Sequence, residues 1–154
     1  MSLAYGLKGW RDLFKKLERD GELLEQEVNS DRFFNFVVTA YHLCEWVEKD
    51  PHVAGTVKND VKIVRKNKHI AACRDIANAS KHVQLGSDHK NQVAGEAESS
   101  QAYGSSRYGK GFYAKGQEGI TVMLLDNSVI TALSLKDEVL NVWRHFLRGH
   151  SLIG

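Results

Sequence analysis

The chain has 154 residues, of which 42% are apolar and 26% charged, with a formal net charge of +2. That length suits one domain with a sizeable core, and that composition excludes a disordered or collagen-like chain. No apolar run approaches the roughly 18 residues that a membrane-spanning helix needs, so no membrane partner is expected.

The opening segment MSLAYGLKGWRDLF is amphipathic and charged by its eighth residue, unlike a secretory signal. Leu7, Trp10, Leu13, Phe14 and Leu17 recur every three or four residues and mark one apolar helical face. Gly21 is a point where this helix can break, although Leu23, Leu24 and Val28 continue the spacing. A second helix is predicted from Asn29 or Ser30, either of which suits an N-cap, with Asp31 favoured by the helix dipole. Its face is Phe33, Phe34, Val37, Ala40, Tyr41, Cys44 and Val47, and Asp50-Pro51 stops it. Val57, Val61 and Val64 then suggest a helical turn or two.

The stretch KHIAACRDIANASKHV reads as a third long helix, with Ile70, Cys73, Ile76, Ala77 and Ser80 along one side. Its small residues let a neighbour approach closely, which suits a central place in a bundle. From Gly86 to Gly119 seven glycines and few aliphatic residues replace the helical pattern. Because ordinary connections are much shorter, this stretch is expected to be a functional loop or irregular β structure. GITVMLLDNSVITALS follows, a hairpin signal turning at Asp126-Asn127-Ser128. Leu135, Val139, Leu140, Val142, Trp143, Phe146 and Leu147 mark a last helix. The expected fold is mainly α. It is a single domain built as an up-and-down four-helix bundle, helical over 1–85 and 135–150. A glycine-rich insertion over 86–134, carrying a small antiparallel hairpin or sheet, precedes the last helix. Trp10, Trp46 and Trp143 are its expected core or interface anchors.

Cys44 and Cys73 lack metal-ligand spacing and sit among apolar residues, as reduced core thiols do, which points to a cytoplasmic location. Charge is uneven along the chain. Residues 1–50 hold 7 basic and 10 acidic residues, whereas residues 52–90 hold 8 and 3. A basic middle third fits a phosphate-bearing partner, and it equally complements the acidic first third within the fold.

In the third predicted helix Arg74, Asn78 and His82 fall four residues apart, and positions so spaced drift by only about 40° per step. They therefore form a stripe, flanked by Asp75 and Lys81. Imidazole moves protons near neutral pH and guanidinium grips phosphate at two points, so the stripe has the parts of a metal-independent phosphodiester site. The same residues also serve as hydrogen-bonding cross-links within a bundle. Downstream, AYGSSRYGKGFYAKG interleaves Arg107, Tyr108 and Lys110 with further aromatics, as surfaces that stack nucleic-acid bases do. No GxxxxGK[ST] phosphate loop is present. His42, Glu45 and His69 have no spacing that demands a metal, and no metal or other cofactor is expected.

The segment RDIANASKH, late in a helix of a small bundle, resembles the motif of the HEPN superfamily (higher eukaryote and prokaryote nucleotide-binding domains). That motif is an arginine, commonly followed by a polar residue such as asparagine, then a histidine four to six residues after the arginine. Asn78 matches the polar position and His82 the histidine. The arginine position holds Ala77, and Arg74 lies one turn earlier, with seven residues between it and His82.

The resemblance implies a helical bundle, a homodimer with its site across the two-fold axis, and RNA as partner. Three functions follow. One is a non-catalytic module that binds nucleic acid or another partner, with Lys81, Arg107, Tyr108 and Lys110 as its binding residues. Another is a metal-independent RNase of the toxin or defence type, with His82 as general acid or base, Arg74 as phosphate clamp and Asn78 orienting them. The third is a structural or interaction protein with no ligand.

Overall fold

The computed structural model describes residues 5–79, 94–101, 118–124 and 126–154. The order of elements is α1 (Trp10–Gln26), α2 (Ser30–Lys49), α3 (Gly55–Lys66), α4 (Lys68–Ala79), β1 (Ala94–Gln101), β2 (Glu118–Leu124), β3 (Val129–Thr131) and α5 (Ala132–Gly149). The fold is a helical bundle with a small antiparallel sheet ahead of the last helix, as the periodicity predicts.

Helix α1 runs through Gly21 without a break, since the glycine is where neighbours come closest. A Cβ at that position would lie 3.3 Å from Leu140 Cδ1 and 3.4 Å from Phe36 Cε2. Asn29 caps α2, its side chain accepting from the Arg32 amide at 2.9 Å. Helix α2 contacts all four other helices. Its Phe36, Val37, Ala40, Leu43, Cys44 and Val47 are fully buried. Each large apolar side chain so covered contributes about 1.5–3 kcal/mol. Within this core Asp20 of α1 and Thr39 of α2 are buried and paired, the hydroxyl donating to Asp20 Oδ2 at 2.9 Å. Lys16 Nζ also donates to Thr39 Oγ1 at 2.9 Å and pairs with Asp20, so the cluster leaves no bare charge.

Helix α3 departs from expectation. The three valines at 57, 61 and 64, where the spacing suggests a turn or two, are the buried face of a 12-residue helix, so the described residues hold five helices. The sequence understates it because polar and charged residues fill most of its remaining positions. Asn67 alone connects it to α4, its Oδ1 accepting from the His69 amide at 2.9 Å.

The hairpin turns where predicted. Asn127 takes a left-handed φ of 62°, and Asp126 Oδ1 accepts from the Ser128 amide at 3.0 Å. Strand β2 alternates, with Ile120, Val122 and Leu124 buried and Met123 40% exposed. The sheet has three antiparallel strands in the order β1-β2-β3. Strand β1 falls in the stretch expected as a functional loop or irregular β structure, and its bounds are not legible there because AGEAESSQ carries no apolar alternation. Thr131 ends β3 and caps α5, accepting from the Ser134 amide at 3.2 Å, so the last helix starts three residues before Leu135. Trp10 and Trp143 are buried anchors, while Trp46 packs at the edge of the core. Among the described residues no helix is long and apolar enough to cross a membrane.

The close approach at Gly21 yields a test. Gly21→Leu should overpack the junction of α1, α2 and α5 and lower stability by about 1–3 kcal/mol. Gly21→Ala, which adds one methyl group, should shift stability by less than about 1 kcal/mol because helix propensity offsets the crowding. Urea denaturation of the two variants checks both.

Candidate functional site

Helix α4 carries the motif residues that the structure describes. Its buried face comprises Ile70, Ala71, Ala72, Cys73, Asp75 and Ala77. Arg74 and Asn78 are half-buried, one turn apart along the helix, as their spacing requires. The guanidinium is already engaged, with Arg74 Nε and Nη2 both 3.0 Å from Asp75 Oδ1. The Asp75 side chain is only 5% exposed, so its charge needs that cation. Ala77, at the position where the HEPN motif has arginine, is 2% exposed and packs in the core. Lys81, His82, Arg107, Tyr108 and Lys110 lie outside the described residues.

The remaining candidates separate in space or in role. Burial pushes the Cys44 thiol up to about 12 and raises that of Cys73 as well, so neither forms a thiolate nucleophile near neutral pH. Glu45 is ion-paired with Lys49 on the surface of α2. Among the described residues no group of three or more histidine, cysteine, aspartate or glutamate side chains is placed to hold a metal. His69, in the first turn of α4, has a buried Nδ1 with no hydrogen-bond partner among the described residues. Burial of the ring lowers its pKa, opposed by Glu138 and Asp126.

A basic face on α3 completes the picture. Lys58, Lys62 and Lys66 are four residues apart, so their Cα atoms climb about 6 Å per step along one side of the helix. Lys62 and Lys66 are exposed and Lys58 half-buried, and none has an ion-pair or hydrogen-bond partner among the described residues. Lys68, at the start of α4, is also exposed.

Two contacts hold α3 in this rotation. On one flank Arg65 grips Glu48 of α2 in a two-point pair, Nε to Oε1 at 3.0 Å and Nη2 to Oε2 at 2.7 Å. That bonding holds the guanidinium above the ordinary arginine value despite its partial burial. On the other flank Asp60 Oδ2 meets Nε2 of His150, the C-cap of α5, at 3.2 Å. The basic middle third of the sequence gave the charge of this face. The face itself is written in the spacing 58, 62, 66, which a net-charge count does not resolve.

Comparison of the chain with protein-family models, with curated proteins and with solved structures gives no match.

The depressed pKa of His69 fixes the sign of a pH effect. The folded state holds the ring neutral where the unfolded chain, titrating near 6.5, takes up a proton. Stability from this residue is therefore present above that value and falls as pH drops below it. Denaturant midpoints measured at pH 7 and pH 5 should fall less in His69→Asn than in the wild type.

Proposed function

We propose that this chain is a HEPN-like helical-bundle module that binds RNA through its phosphate backbone and does not cut it. The observation that carries this reading is the α3 face, where Lys58, Lys62 and Lys66 are free of protein partners among the described residues and point away from the valine core. Free lysines in a row supply the sequence-independent, salt-sensitive attraction on which most backbone binding rests. The reading without catalysis is supported by α4. The guanidinium nearest the motif is neutralised by Asp75, and an arginine in place of Ala77 would have to enter the apolar core. A phosphate clamp works best with a free guanidinium, and Nε and Nη2 of Arg74 are already turned to Asp75. Homodimer formation belongs to the same reading, and sedimentation equilibrium should return twice the chain mass.

Fluorescence anisotropy with a labelled single-stranded RNA tests the proposal. Each phosphate contact on a single strand contributes roughly 0.7 to the slope of log K against log salt. Replacing Lys58, Lys62 and Lys66 together by alanine should lower that slope by about 2 and weaken binding at low salt by at least roughly tenfold. The RNA should remain intact in EDTA, and His82→Ala should bind as the wild type does. Binding untouched by the triple change, or cleavage lost in a folded His82→Ala protein, would contradict the proposal.

A further inference from the structure

Helices α3 and α5 leave an open cleft of about 450 Å³ between them, a volume typical of small-molecule sites. From α5 and its C-cap the wall is Val142, His145, Phe146, Gly149 and His150, spaced three and four residues apart. Gly149 is exposed in the lining, and a Cβ there would enter open space, with nothing within 4 Å. From α3 come Ile63 and Asp60. Ile63 is 69% exposed, a large branched side chain left uncovered at the rim. The ring of His150 packs on Phe146, centroids 4.7 Å apart, while its Nε2 meets Asp60 Oδ2. These two contacts fix the imidazole and with it one oxygen of the carboxylate. The other oxygen, Asp60 Oδ1, has no partner among the described residues, and the Asp60 side chain is 47% exposed. No lysine or arginine is among the described residues of the lining, so no permanent cation offsets this carboxylate from within the cleft.

We propose that this cleft binds a planar aromatic amine or amino-substituted heteroaromatic ring. The flat faces of such a ligand cover Ile63 and Phe146, removing apolar surface from water, and its N–H group donates to Asp60 Oδ1. A carboxylate beside the apolar surfaces of Ile63, Val142 and Phe146 selects a donor or a cation and disfavours an anion of the same shape. The lysines at 58, 62 and 66 do not line the cleft, so this site stands apart from the RNA reading.

A two-dimensional amide NMR titration tests it, with 4-aminoquinoline as probe and quinoline-4-carboxylate as its anionic counterpart. 4-Aminoquinoline should give saturable shifts at Ile63, Asn67, Phe146 and His150, and quinoline-4-carboxylate should bind at least roughly tenfold more weakly. Asp60→Asn should lose about tenfold in affinity for 4-aminoquinoline, since it removes the charge and keeps the shape. Gly149→Leu should fill the cleft and abolish the shifts, while the spectrum away from it stays unchanged. The variant carrying alanine at 58, 62 and 66 should bind 4-aminoquinoline as the wild type does. The absence of saturable shifts, equal binding of the two quinolines, or wild-type affinity in a folded Asp60→Asn protein would overturn the proposal.

Discussion

Packing around α2 governs where everything else in the bundle goes. Its 20 residues present a fully buried face from Phe36 to Val47 that α1 and α4 must cover from different sides. Helix α4 packs against it, and its buried positions include Ala71, Ala72, Cys73 and Ala77, residues small enough to let neighbouring backbones approach. The buried pair of Asp20 and Thr39 then sets α1 against α2, since sliding one helix along the other would break the Thr39 hydroxyl's bonds to Asp20 and Lys16. The same close packing decides the fate of the motif region. Ala77 belongs to the seam between helices, and a long cation there would be incompatible with it.

The face that α3 turns to solvent follows from a second balance. Burying Val57, Val61 and Val64 contributes several kcal/mol. The pairs Arg65–Glu48 and His150–Asp60 are each partly exposed, and pairs of that kind are worth about 0–1 kcal/mol. Burial therefore holds the helix to the bundle, while the pairs choose its rotation by tying opposite flanks to α2 and α5. With both flanks tied, the outward side is left to the lysines and to Ile63. One clamped helix thus bears a row of lysines on its outer side and one wall of a cleft where it meets α5.

Much of this was legible in the sequence, and the exceptions have physical reasons. Helices α1, α2 and α5 declare themselves because each buries a dense apolar stripe, and the Asp126-Asn127-Ser128 turn because its residues tolerate a left-handed backbone. Helix α3 is under-read because three valines suffice to anchor it while most of its other positions are polar or charged. Strand β1 is silent because its pairing is made by backbone groups and its sequence lacks alternation. At the site, helical spacing correctly puts Arg74 and Asn78 on one flank. It cannot reveal that the adjacent Asp75 is buried and takes the guanidinium for itself, because burial is a property of the assembled bundle.

The most direct test of the account is the footprint of a single-stranded oligouridylate on the protein, mapped residue by residue through amide NMR shifts at low and high salt. The account predicts the largest shifts at Lys58, Lys62 and Lys66, fading as salt rises, with the RNA recovered intact. A footprint confined to α4 around Arg74 and Asn78 with α3 unmoved, or hydrolysis of the RNA during the titration, would contradict it.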